Sequence, residues 1–367
     1  GVESGLGRNG PWLQNDWLRI ETRQDDGSIA PVALTGGFRP AERAIASIDL
    51  ADGTALTFGR SDYDVRPHAD ALGGGRILTL TSRDGRAAAT LRREIALYDG
   101  QPYAVVRVGI TNERRDPIRI ATMHAFATPD AGRGKLQLQS KAADLRVYRH
   151  GWQSWSPTMS FGGTQMDVQS TPPILSPEAP QREPGRFASD DVAVLYDPAL
   201  GRSMLAGAVS ARDMLTQVFI DAPNRAIDAR CLGDGMPVAP GETVWSERIA
   251  IDVTGSPLEQ LERYGDALGR EMGARVPDRT PSGWCSWYYY YTTVSEEDVT
   301  KNLRVLDSLR TTLPVDTFQI DDGYQADIGD WLTTNEKFPH GMGWLAREIK
   351  SAGYTPGHSL APFLVAE

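Results

Sequence analysis

The chain has 367 residues, more than one ordinary domain needs, so two or more domains are expected. Its formal charge of −10, from 38 Lys and Arg against 48 Asp and Glu, argues against nucleic acid as a partner, because gripping phosphate needs a net basic surface. Hydrophobic residues make up 40% and give ample core, yet no apolar run nears the roughly 20 residues that span a bilayer, so no membrane partner is expected either.

The first residues, GVESGLGRNG, lack the basic start and apolar core of a signal peptide. They open on Gly1 rather than Met, which suggests a processed, tagged or partial chain. From there to about residue 253 the pattern is short strands broken by turns. ILTLTS (77–82), YAVVRVGIT (103–111), VAVLYD (192–197) and TVWSERIAIDV (243–253) alternate or run apolar, as half-buried and buried strands do. ADGT, SRDG, YDGQP and APGET lie between strands as turn signals. This spacing, with no helical period inside it, predicts a large antiparallel β-sandwich over residues 1–253. Within it, YRHGWQSWSP (148–157) sets two tryptophans three residues apart, which a straight strand cannot point to one face. A packed plug and a loop reaching over a neighbouring site are both open readings.

The period then changes. Residues 254–274 form an amphipathic linker helix, with Ser256 as N-cap, Pro257 at the first position and Glu259 completing a capping box. Leu258, Leu261, Tyr264, Leu268 and Met272 are its expected buried stripe. Residues 275–367 alternate: GWCSWYYYY as a strand, a helix opening on Ser295, VDTFQI as a strand, a helix stopped at Gly353, and TPGHSLAPFLV as a strand. A β-α-β-α-β order means parallel strands with right-handed crossovers. It fits a doubly wound sheet or the first three strands of a (β/α)8 (TIM) barrel. A complete barrel takes about 250 residues, far more than follow residue 253. The barrel reading therefore implies that the chain is the N-terminal portion of a longer protein.

In such architectures sites form at the C-terminal ends of strands. Trp287 and Tyr288 to Tyr291 stand at the first end, Asp321 and Asp322 at the second, and His358 and Ser359 at the third. Carboxylates accept paired hydrogen bonds from vicinal hydroxyls, and aromatic faces cover the C–H side of a sugar ring. No Gly-rich phosphate cradle accompanies them. Carbohydrate is the ligand class these residue types suit, and a solvated acidic loop is the bland alternative. Adjacent aspartates rarely flank one scissile bond, so binding is the role expected of the pair. Cys231 and Cys285 are too few for a disulfide framework and point to a reducing, cytoplasmic setting. The five histidines show no ligand spacing, so neither metal nor cofactor is expected.

ARVPDRTPSGWCSWYYYYTTVSEEDVTKNL, then FQIDDGYQADIGDWL, then PGHSLAPFLVAE resembles the α-galactosidases (melibiases) of glycoside hydrolase family 36. YRHGWQSWS is similar to the sandwich segment that family sets beside its barrel. The resemblance implies that Asp321 and Asp322 bind galactosyl hydroxyls, including the axial one at C4. It also implies that Trp287, with Trp155 from the sandwich and Trp331 in the following loop, walls the sugar pocket. Ser359 departs from the family's strand 3 pattern, PG-x-W-x-AP-F, which puts a tryptophan there. The implied reaction is hydrolysis of terminal α-linked galactose with retention, by double displacement. Its nucleophile and acid–base aspartates are expected beyond Glu367, so the chain is given no catalytic residue and no activity on its own. Galactosyl transfer, as in raffinose-synthase-like relatives, a non-catalytic carbohydrate-binding protein and an α-glucosidase relative are the competing readings. An α-galactoside oligosaccharide or glycoside is the expected partner, and a homo-oligomer is left open.

Overall fold

The computed structural model describes residues 1–364 apart from residues 86, 129–134, 152–155 and 169–182. They fall into two compact units, Gly1–Ala274 and Arg275–Glu367.

The first unit is built almost entirely of antiparallel strands. A four-stranded meander runs Glu3–Leu6, Pro11–Gln14, Leu18–Thr22, Ile29–Ala33. A ten-stranded sheet is centred on Ala104–Asn112, which pairs with Ala89–Tyr98 on one side and Ile249–Asp252 on the other. A six-stranded sheet is centred on Ala226–Val238 and Ile118–Ala127. Alternation sets the packing. Leu78, Ile95, Val106 and Val108 of the ten-stranded sheet share one core with Met123, Phe126, Val218 and Ala229 of the six-stranded sheet. Arg93 is fully buried in that core, where Nη1 donates to the carbonyls of Gly27 and Ala44 and Nη2 to that of Ala125. One guanidinium thus ties three segments together, since its donors diverge in a fixed plane.

The apolar run 243–253 breaks into two strands, Thr243–Trp245 and Ile249–Asp252, both paired with Ala104–Asn112. Trp245 pairs with Gly109 and Ile249 with Val106, so three residues bulge opposite two, and Glu247 is the middle one. It is buried, and Oε1 accepts from the amides of Arg212, Asp213 and Met214 at 2.9, 2.6 and 2.9 Å.

Helix Pro257–Met272 starts at Ser256 with the full capping box and ends on left-handed Gly273, as a Gly stop should. Of the expected stripe, Tyr264 is buried and Leu261 and Leu268 pack against the same core, while Leu258 and Met272 do not. Gln260, Tyr264, Ala267 and Glu271 are buried, whereas Leu258 is 73% exposed. Polar partners rotate the helix. Gln260 Nε2 donates to the carbonyls of Ser203, Asp252 and Thr254, and Glu271 receives Arg212 and Arg248 at 3.0 and 2.5 Å. Tyr264 donates its hydroxyl to the Ala208 carbonyl at 2.7 Å.

In the second unit the strands Gly283–Cys285, Thr317–Ile320 and Thr355–His358 form a parallel sheet in that order. Helices Glu296–Ser308 and Gly341–Ser351 connect them. Val299, Leu303, Leu306, Leu345 and Ile349 from the helices bury against Phe318 and Ile320 of the middle strand. Among the described residues no helix is long and apolar enough to cross a membrane.

A candidate sugar site at the ends of three parallel strands

The middle strand stops at Ile320, and the next residues turn rather than extend. Asp321 and Asp322 therefore escape the up-and-down alternation of a strand. The acidic stretch splits in two: Asp321 and Asp322 are half-buried, while Asp327 and Asp330 are exposed on the turn beyond. Gly323 enforces the turn. Its φ is +115°, and a Cβ there would sit 2.6 Å from the Thr292 carbonyl oxygen. Asn335 closes the loop from the other side, its Nδ2 donating to the carbonyls of Gly323 and Gln325 at 2.8 and 3.0 Å.

The three strand ends meet at Asp321. Its amide donates to Ser286 Oγ of the first strand end at 2.9 Å. Its Oδ1 accepts from the Asp322 amide at 2.8 Å, and Oδ2 accepts from Ser359 Oγ of the third strand end at 3.0 Å. Cys285 Sγ approaches the same Oδ2 at 3.7 Å. Asp322 is placed differently: its carboxylate accepts no hydrogen bond from any described residue. Burial, and then the charge of Asp321, hold its carboxyl above the ordinary carboxylate range. Tyr324 is fully buried beneath, donating its hydroxyl to the Ser359 carbonyl at 3.1 Å and meeting the His358 ring edge-on at 5.4 Å. Burial, and then Asp322, push its phenol upward. The arrangement offers one braced carboxylate beside one open carboxylate, which suits ligand hydroxyls.

Trp287 does not continue a strand, as GWCSWYYYY was expected to. Pairing ends at Cys285, and Trp287–Tyr290 coil into one helical turn, with the Tyr290 amide donating to the Ser286 carbonyl at 3.0 Å. The turn lets Tyr290 reach Asn302 Nδ2 at 2.8 Å through its hydroxyl and leaves Tyr288 and Tyr289 outside. Trp287, half-buried, follows directly on Ser286 and contacts Tyr291 edge-on at 5.3 Å. Trp331 packs against the core of the second unit, and its buried Nε1 has no hydrogen-bond partner among the described residues. Trp155 lies outside the described residues. Sequence reasoning missed Ser286 and Gln319; their position at or beside the end of a parallel strand was the available signal.

No protein-family model matches the chain. Among solved structures, the family 36 α-galactosidase AgaB of Geobacillus stearothermophilus aligns with a TM-score of 0.63 at 14% identity, covering 99% of this chain and 57% of its own. The α-galactosidase of Lactobacillus brevis aligns at 0.60 and 14% identity, covering 100% of this chain and 55% of its own. An α-galactosidase of Thermus thermophilus, solved with p-nitrophenyl α-D-galactopyranoside, is 26% identical, with a TM-score of 0.45, over 82% of this chain and 50% of its own. The chain thus spans about half the length of these structures, and the fold it shares across that span is the one found in glycoside hydrolase family 36 α-galactosidases.

Proposed function

We propose that this chain is the sandwich and first barrel strands of a family 36 α-galactosidase, and that Asp321 and Asp322 grip the galactosyl ring. The observation that carries the reading is the open, half-buried carboxylate of Asp322 beside its braced neighbour at the C-terminal ends of parallel strands. A carboxylate that accepts from vicinal hydroxyls gains about 1.5–3 kcal/mol per charge-assisted bond. Two carboxylates on one turn discriminate sugars by hydroxyl direction, because a hydroxyl aimed elsewhere leaves a desolvated acceptor unpaired. Trp287 and Trp331 would supply an apolar wall against the C–H side of the ring.

The reaction in this reading retains configuration. One carboxylate attacks the anomeric carbon through an oxocarbenium-like transition state, and a second protonates the leaving oxygen and then activates water. In this reading the Asp321–Asp322 pair contributes binding and is neither of these two carboxylates. The fold shared with family 36 α-galactosidases supports the assignment, as does the sugar-suited chemistry of the strand ends.

The test uses the full-length protein and p-nitrophenyl α-D-galactopyranoside. Asp322→Ala should lower kcat/KM by roughly 2–4 kcal/mol, or ~30- to 1000-fold. Full activity in that variant would place the doublet on a mere surface turn.

A further inference from the structure

The polar atoms of Ser359 form a chain with a fixed direction. Gln319 Nε2, on the middle strand, donates to Ser359 Oγ at 2.8 Å. An amide nitrogen only donates, so the serine hydroxyl must send its own proton elsewhere, and the acceptor at 3.0 Å is Asp321 Oδ2. The rest of Ser359 is equally tied: its amide donates to the Ile320 carbonyl at 2.9 Å, and its carbonyl accepts from Tyr324. The residue is half-buried, where such a relay is stronger than in water. Asp321 is consequently held through all three strand ends, by Ser286, by its own turn and by Ser359.

We propose that Ser359 is a positioning residue: through the Gln319–Ser359–Asp321 relay it fixes the Asp321 carboxylate for the ligand, and it leaves Asp322 to meet hydroxyls with all its lone pairs. This rests on the galactoside reading above and adds a division of labour within the doublet. A carboxylate freed from its hydroxyl donor can rotate about its terminal torsion, which is broad and two-fold. Its lone pairs then no longer point where a rigid sugar presents its hydroxyls. Threonine keeps the hydroxyl; alanine keeps only the backbone bonds.

Galactose binding to the full-length protein, followed by titration calorimetry, separates the outcomes. Ser359→Ala should weaken binding about tenfold, the loss expected for one charge-assisted hydrogen bond. Ser359→Thr should bind within about threefold of the wild type, a rescue that loss of packing alone would not give. Gln319→Met, which deletes the donor that sets the direction, should fall between them and serves as the reporter if Ser359→Ala does not fold. Wild-type binding in Ser359→Ala, or in Gln319→Met, overturns the relay, as does a threonine variant as weak as alanine. Asp322→Asn distinguishes the two levels. If it binds galactose as the wild type does, the sugar site itself is wrong. If it loses binding while Ser359→Ala keeps it, the relay alone fails.

Discussion

Asp322 carries a strained charge, and the strain has a sign that can be read. A carboxyl whose pKa is raised on folding holds its proton to higher pH than it does in the unfolded chain, where about 3.9 is usual. Its ionisation therefore opposes folding, and stability declines as pH rises from that value through the raised one. Burial is the first cause and the Asp321 charge the second. We expect a carbon-detected NMR titration to find Asp322 above the ordinary carboxylate range, and Asp321→Asn to lower it part of the way, since burial remains. A titration indifferent to that substitution would mean that the two carboxyls do not sense each other. The doublet stood out in the sequence as the head of an acidic cluster just past an apolar strand. Its bracing was not, because Ser286 and Ser359 lie 35 and 38 residues from Asp321 in the chain and meet it only through strand register.

Elements with local causes were the legible ones. The capping box of Ser256 with Glu259 forms as expected, and the next helix opens on Ser295, where Asp298 completes a second box that was not foreseen. The tyrosine run was not legible, because aromatic strand preference yields where no neighbouring strand remains to pair with. The buried face of helix Pro257–Met272 was legible at Leu261, Tyr264 and Leu268 but not at its polar members, because hydrophobic period is blind to a glutamine or glutamate recruited by distant carbonyls and arginines. The turn that ends the middle strand invites a direct test. Gly323→Ala must bear both a positive φ and a Cβ pressed on the Thr292 carbonyl. We expect a loss of about 1–3 kcal/mol in denaturant melts and, on the proposed galactoside reading, weaker binding, because Asp321 and Asp322 precede the displaced residue. An alanine variant with unaltered stability would show that the turn relaxes freely.

At the scale of the whole chain, the two compact units differ in how well each satisfies itself. The first closes its sheets over one large core and seats helix Pro257–Met272 on its own strands through Tyr264, Gln260 and Glu271. The second has three parallel strands and leaves Tyr288, Tyr289, Leu332 and Phe363 at 85, 81, 100 and 99% exposure. Small parallel sheets need covering on both faces, and three strands offer little core to share. Residues 1–274 produced alone should melt as one cooperative, β-rich body. Residues 1–253 should fare worse, because removing the helix uncovers the Ala208 carbonyl and strips Arg212 and Arg248 of Glu271. Losing one buried aromatic and its polar partners costs about 3–5 kcal/mol, or roughly 10 °C at this size. Residues 275–367 alone should show no cooperative transition. Equal midpoints for the 1–253 and 1–274 pieces would mean that the helix only bridges the units and does not complete the first of them.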